Sequence, residues 1–479
     1  MRAAALQDLP LPPRAVYGLQ PVVGPPDQGA PVSLVSTRRD FLIGAAVFAA
    51  PLPARAQAVA APSLLAARPG KARLLPPPAA ATEILGFDGV SPGPLLRYKQ
   101  GDTLFARLVN ETSGPLGLHW QGLRGENAMD GVVPLTQAPV APGQSFDYRR
   151  TLSDPGLFCY RPSVFPQSGE LMGRGLKGLL LVDEAVPLDA DADLIVVLDD
   201  WRLDAKGAID ADFHDGAAAK GAGRIGNLLT VNGAPAPATY EHPPRTRVRL
   251  RLANLANARI MALSFEETTP YAIAIDSQPC DAFVPVRKTI PVAPGARFEL
   301  MFDLPETQGA KTRVILRGGA GEDRDLLIFS IKGEARKQRP AIRGLPQNPA
   351  LPPMIHLEQS KKVDLTIAQD GAGAWTINGA ASKAYAGPPL FQVKRGTPVT
   401  LGYDNRSAVP LVMHAHGHCM RLLHDLDDGW EPYWRNAVVV PPGKTKHVAF
   451  VADSPGKWAL HDDVLEHEAA GVATWFEVG

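Results

Sequence analysis

The phrases VAPGQSFDY (Val140–Tyr148), VAPGARFEL (Val292–Leu300) and VPPGKTKHV (Val440–Val448) decide how this chain is organised. Each opens with a Pro-Gly turn signal and runs on into residues of strand character. The first and last copies extend alike, LSDPGLFCYR ending at Arg161 and ADSPGKWALH ending at His461. A second Pro-Gly follows the first at the same distance in both, so position 161 corresponds to position 461. Upstream, LLRYKQGDTLFARLVNETSGPLGLH (from Leu95) resembles LFQVKRGTPVTLGYDNRSAVPLVMH (from Leu390), one ending at His119 and the other at His414. Each reads as a strand, a Gly turn, a second strand ending in Asn, and a loop leading to a histidine. A β unit present three times is the simplest account, each copy a Greek-key sandwich or barrel of roughly 120–150 residues. TLFARLVN, RVRLRLANL and KHVAFVAD read as strands, and helical patterns are few; EHEAAGVA opens as a short helical turn after His467. The expectation is an all-β chain.

Composition supports this. Gly 45 and Pro 47 in 479 residues are high and suit a chain with many turns. Lys+Arg 49 against Asp+Glu 49 leaves no net charge, which argues against a nucleic-acid partner. Boundaries fall at the acidic DEAVPLDADAD near residue 187 and at the basic, Pro-rich KGEARKQRPAIRGLPQNPALPP ending at Pro353. The expected division is 1–58 as extension and signal, then units over 59–186, 187–350 and 351–479. In the first segment Arg38-Arg39 precede Phe41-Leu42 and a short apolar run, followed by Ala54-x-Ala56-x-Ala58. The run is too short to span a bilayer and reads as a cleaved twin-arginine export signal, which places the mature chain in the periplasm without a transmembrane segment. Cys159, Cys280 and Cys419 suggest neither a disulfide framework nor a zinc cluster, and read as buried small hydrophobes.

Of eleven histidines, five fall in two segments of the third unit: His414, His416 and His418 in MHAHGH, and His461 and His467 in LHDDVLEH. Strand residues two apart share a face, so the first three are expected to converge on one metal or one cleft. Imidazole clusters suit copper or zinc. His119, in LHWQGL, gains weight from its equivalence to His414. Met129-Asp130 and Trp201 read as fold-maintaining positions, and Asp427-Asp428 as a solvated loop.

At these residues the chain resembles the multicopper oxidases, whose fold is three consecutive cupredoxin-like domains. PGPLLRYKQGD, HWQGLRGENAMDGVVPLTQAPVAPG, LTVNG, RLANLANARI, MHAHGH and PGKWALHDDVLEHEAAG all read like phrases of that family. The family's copper ligands come as His-x-His, His-x-His, His-x-x-His-x-His and His-Cys-His-x-x-x-His-x-x-x-Gly-Met/Leu. Set on that pattern, His119 is kept and Gln121 replaces its partner. Arg161 and Ser163 replace the second pair. Leu411 replaces the leading histidine before His414 and His416. His461 and His467 remain, with Asp462 for the cysteine, Asp463 for the next histidine and Val472 at the Met/Leu position.

The resemblance implies a chemistry for each position. Of the strong type 1 ligands only His467 stands, and without the thiolate no blue copper and no short electron path are expected. One type 3 copper would fall to Gln121, Arg161 and Asp463, none of them histidine; Arg161 and Asp463 are expected to pair there, since a buried charge needs a partner. The other would fall to Ser163, His416 and His461, and the type 2 copper to His119 and His414. His119, His414, His416 and His461 therefore form the candidate remnant metal site, holding one copper or zinc ion or persisting as hydrogen-bonded imidazoles. The functional expectation is an exported, non-oxidase binding or scaffold protein with a periplasmic protein partner, the copper-free SufI-type division proteins being the nearest analogue. The alternative is a copper-binding oxidoreductase using a single ion.

Overall fold

Three buried asparagines fix the frame of the molecule. Asn110 Nδ2 donates to the carbonyls of Gly114 and Val140, Asn254 Nδ2 to those of Arg259 and Val292, and Asn405 Nδ2 to those of Val409 and Val440. Their Oδ1 atoms accept from the backbone N–H groups of Thr112, Ala256 and Ser407. Each asparagine ends a strand and ties it to the first valine of a Pro-Gly phrase, so the repeat read along the chain is one hydrogen-bond device built three times. A buried polar side chain is tolerated only when satisfied in this way.

This computed structural model describes residues 61–319, 321–423, 429 and 431–479. The twin-arginine segment, His424 and Asp427-Asp428 lie outside the described residues. The strands form three successive two-sheet sandwiches. In the first, one four-stranded sheet takes Thr82–Phe87, Ser63–Ala72, Thr103–Asn110 and Ser145–Thr151, and the other takes Leu96–Lys99, Gly178–Asp183, Gly156–Pro162 and Leu118–Gln121. Sheets of seven and five strands follow, from Ala192–Trp201 to Arg324–Ile331, and then sheets of six and five strands, from Lys361–Gln369 to Ala473–Val478. The fold is all-β, as the turn-rich composition and alternating strands require. Each sandwich closes on its own apolar core, that of the first around Trp120, Tyr148 and Phe158, that of the third around Tyr403, Trp458 and Phe476. The expected strands are present as Thr103–Asn110, Arg247–Asn254 and Thr445–Ala452. The short helix Leu465–Ala469 begins before His467 and contains it. Among the described residues no helix is long and apolar enough to cross a membrane.

Polar side chains join the sandwiches. Arg297, 1% exposed, donates to the Leu157 carbonyl of the first, to the Gly295 and Asp276 carbonyls of the second, and to Asn436 of the third. Asp276 in turn accepts from the N–H groups of Arg297 and Asn436. Arg249 bridges Glu184 and Glu299 in the same manner between the first two sandwiches. The three cysteines are free and buried, as expected of small core residues, and burial pushes the Cys159 thiol up to about 11 and Cys280 and Cys419 up to about 12.

Replacing Asn405 by Ala is expected to destabilise the chain by about 2–3 kcal/mol, because two buried carbonyls lose their donor. Asn405→Asp should do no better, since a carboxylate would face those carbonyls. Thermal and urea unfolding of both variants beside wild type checks this; an unchanged midpoint would remove the asparagine from the frame.

Candidate metal centre

Two pairs of antiparallel strands bring the positions together. Leu118–Gln121 pairs with Gly156–Pro162, setting His119 opposite Arg161 and Gln121 opposite Cys159. Leu411–Ala415 pairs with Gly456–Asp462, setting His414 opposite His461. The correspondence of positions 161 and 461 is therefore one of register as well as sequence. The facing surfaces of the first and third sandwiches meet at these strands.

On one side of the junction Arg161 and Asp463 form the expected ion pair, Nη2 donating to Oδ1 at 2.6 Å. Gln121 closes a ring with them: its Oε1 accepts from Arg161 Nε at 2.8 Å, and its Nε2 donates to Asp463 Oδ2 at 2.8 Å. All three are buried. Gly295, in the Pro-Gly turn of the second sandwich, packs on this ring; a Cβ there would lie 2.5 Å from Gln121 Nε2, and its φ of +74° suits glycine alone. Burial by itself would raise the Asp463 carboxyl, but the neighbouring His414 and Arg161 outweigh it and hold it well below the usual carboxylate range.

The imidazoles lie beside this ring. His119 and His416 stack with centroids 3.9 Å apart, and His414 and His416 with centroids 4.7 Å apart. Asp130 clamps two of them. His119 Nδ1 lies 3.0 Å from its main-chain carbonyl and 3.2 Å from Oδ1, and His416 Nδ1 lies 3.0 Å from Oδ2. His461 Nδ1 faces the Asp462 carbonyl at 2.9 Å. Each of these Nδ1 atoms meets only acceptors, so each carries the proton, and each Nε2 of a neutral ring is left with a lone pair. His119 Nε2 is buried with no hydrogen-bond partner. His416 Nε2 and His461 Nε2 face each other at 2.8 Å. Two lone pairs at that distance repel unless a cation or a shared proton lies between them. Burial pushes His416 well below its usual value and His414 down to about 4, which disfavours the proton. The donor atoms of His119, His414 and His416 lie within 4.8 Å of one another, as do those of His414, His461 and Asp463. The donor chemistry of either group suits a metal ion.

Two expectations are corrected. His418 does not join the group, because the strand ends at Ala415 and the chain turns at Gly417; its ring packs on Phe450, Trp458 and Phe476 in the core of the third sandwich. Asp130, read as fold-maintaining, belongs to the site. The signal for it was a carboxylate in the otherwise apolar stretch AMDGVV, eleven residues after His119. Ser163 stands at the end of its strand and makes main-chain bonds to Gly117 and Val133; no described bond joins its hydroxyl to the imidazoles.

The position that the family resemblance assigns to the type 1 copper holds a hydrogen-bonded Asp462–His467 pair. Asp462 Oδ1 accepts from the N–H groups of Val412 and Val464, both at 2.9 Å, and Oδ2 pairs with His467 Nδ1 at 2.8 Å. His467 Nε2 donates to the Gly221 carbonyl at 2.8 Å. Leu411 and Val472 are fully buried. The Gly221 carbonyl comes from a segment of the second sandwich whose Ala219 carbonyl also accepts from Trp375 Nε1. Burial opposes a charge on His467, but the Asp462 carboxylate outweighs it and raises the imidazole above its usual value.

Comparison with known proteins agrees with this geometry. The family profile described as multicopper oxidase matches residues 71–186 and again residues 355–479. The multicopper oxidase MmcO of Mycobacterium tuberculosis is 28% identical over 432 residues, covering 81% of this chain and 82% of its own. The cell division protein FtsP of Histophilus somni is 26% identical over 344 residues, covering 66% of this chain and 70% of its own. The crystal structure of a multi-copper oxidase from Pseudomonas thermotolerans matches with a TM-score of 0.78 at 30% identity, over 88% of this chain and 99% of that one.

Arg161→Met and Asp463→Leu are each expected to cost about 3–5 kcal/mol, since each strands a buried charge. The double variant should cost clearly less than their sum; additive losses in chemical denaturation would mean the two groups are not coupled. His467 yields a pH dependence. Its folded-state value is raised, so its contribution is full below the unfolded value of about 6.5 and is lost as pH rises through the folded value. His467→Gln should flatten that alkaline decline in a stability–pH profile, and an unaltered slope would contradict the pairing with Asp462.

Proposed function

Because this chain belongs to the multicopper oxidase family, we propose that it is a member without the four-copper oxidase cycle, acting as a binding or scaffold protein. The observation that carries the reading is the occupied type 1 position. Asp462 stands where the thiolate would be and spends its oxygens on two backbone N–H groups and His467. Leu411 and Val472 offer no ligand atom. The Gly221 carbonyl takes the outer nitrogen of His467, so neither ring nitrogen is left free for a ligand. At one type 3 position the positive charge is already supplied by Arg161, paired with Asp463. A second cation there would meet like charge in a buried setting. The four-copper complement does not fit these residues. The proposal includes export through the twin-arginine route to the periplasm and work through a periplasmic protein partner; the similarity to a cell division protein is in keeping with a role of that kind.

A second reading is favoured by the opposed lone pairs of His416 and His461 and the unpartnered His119 Nε2. In it the chain holds one copper or zinc ion through His416 and His461, with His119 and His414 beside it. Such an ion would supply a Lewis acid or, as copper, a one-electron redox centre. The chain's own part is to fix the ligands: Asp130 and the Asp462 carbonyl keep the protons on Nδ1 and the Nε2 atoms free.

Metal analysis and spectroscopy test both readings. Copper-loaded protein is expected to show no intense blue charge-transfer band and no oxidation of a phenolic dye; the appearance of either the band or the oxidation would overturn the first reading. For the second, about one ion per chain is expected, lost in the His416→Ala/His461→Ala variant and kept in His467→Gln. A folded wild-type chain that retains no metal after loading would leave the imidazoles as a hydrogen-bonded remnant and sink the second reading alone.

A further inference from the structure

A cleft of about 270 Å³ opens between the segment connecting the last two sandwiches and the third sandwich. Asn348, Pro349, Pro352, Arg421, Pro432 and Trp434 are among the residues that line it. The connecting segment is held firmly. Asn348 Nδ2 donates to Asp154 Oδ1 of the first sandwich and to Gln278 Oε1 of the second, both at 2.9 Å, and its Oδ1 accepts from the Ala350 N–H at 2.9 Å. Leu351 packs into an apolar cluster with Trp434, Cys419 and Ile355. The cleft is therefore preformed and needs little ordering on binding.

Among the described residues that line it, Arg421 has a buried polar atom left without a hydrogen bond. The guanidinium carbon stacks over the Trp434 ring at 4.5 Å from the centroid. Its Nε is buried without a hydrogen bond, and among the described residues no carboxylate pairs with it. This sets it apart from the paired arginines elsewhere in the chain, such as Arg107 with Asp147 and Arg247 with Asp303. Stacking on Trp434 occupies a face of the guanidinium and leaves its in-plane N–H edge as the part that can take a ligand. That edge matches a planar carboxylate. No second cation lines the cleft, so a phosphate dianion would be left half-neutralised. Proline rings give an apolar bed for a flat body. A volume of about 270 Å³ gives room for a small flat anion, for which benzoate is a simple probe.

We propose that this cleft is a binding site for a small aromatic or similarly flat organic carboxylate, its carboxylate on the Arg421 edge and its body on the proline rings. The site is separate from the imidazole centre and independent of whether that centre holds a metal.

Calorimetric titration and saturation-transfer NMR on the full chain, with benzoate as the probe, test it. Saturable one-to-one binding is expected, weakened roughly tenfold or more in Arg421→Met and by an intermediate amount in Arg421→Lys, which keeps the charge without the fork. Thermal melting of each variant separates loss of the site from loss of the fold. Benzyl alcohol, which lacks the carboxylate, should not compete. The proposal is overturned if folded wild type shows no saturable benzoate binding, or if whichever of the two variants folds binds as wild type does. It is equally overturned if inorganic phosphate displaces benzoate with equal affinity.

Discussion

The buried pair of Arg161 and Asp463 joins two strands that lie in different sandwiches and some 300 positions apart in the chain. Neither charge is tolerable there alone. Each is taken out of water by the meeting of the first and third sandwiches; Arg161 and Asp463 neutralise each other, Gln121 hydrogen-bonds to both, and His414 lies beside the carboxylate. The contact thus sets a condition on the assembly. If the sandwiches shift relative to each other, an unpaired guanidinium and an unpaired carboxylate are left in a dry interface. The turn at Gly295 lies against the same ring, so the second sandwich is bound by the same condition.

Two further joints share one pattern, an arginine whose donors are divided among sandwiches, beside others made by Lys177 with Asp199 and by Asn257 with Glu466. Arg297 reaches carbonyls of the first two and Asn436 of the third, and Arg249 reaches Glu184 and Glu299. A guanidinium suits this work because its five donors lie in a rigid plane and can meet several acceptors at once. Apolar clusters also cross between sandwiches, Leu157 and Cys159 of the first packing with Val197 and Leu255 of the second and Leu465 of the third, and the polar contacts add direction to that packing. The imidazole centre inherits its geometry from that arrangement, since Asp130 and His119 come from the first sandwich and His414, His416 and His461 from the third.

At the centre, two substitutions relative to the family pattern act in opposite ways on the local charge. Arg161 places a fixed cation at a position that the family resemblance assigns to a copper ligand, and Asp463 balances it. At the other surviving positions the Nε2 atoms of His416 and His461 face each other at 2.8 Å, and burial disfavours a charge on His416. A protein can relieve such an arrangement with a metal ion but not with further burial. The type 1 position differs again. There Asp462 and His467 satisfy each other, and the main chain of three separate segments completes their hydrogen bonds. A self-satisfied pair has no need of an ion.

Much was legible along the chain. The three Pro-Gly phrases carry the β architecture because a turn and a strand are local structures, written in neighbouring residues. The equivalences of 119 with 414 and of 161 with 461 follow from the same repeat, and the meeting of Arg161 and Asp463 follows from what the family resemblance implies for those positions. Other features belong to tertiary structure alone. His418 shares the two-residue spacing of His414 and His416, yet the strand stops at Ala415 and the ring turns into the core. Asp130 looked like part of the frame, and only the approach of the third sandwich sets His416 against it. The Gly221 carbonyl over His467 and the unpaired Arg421 beside Trp434 are likewise products of contact between segments far apart in sequence. Periodicity records which way a strand faces; it carries no record of what another domain will bring to that face, and in this protein burial at those meetings sets the tautomers, the ion pairs and the free donors.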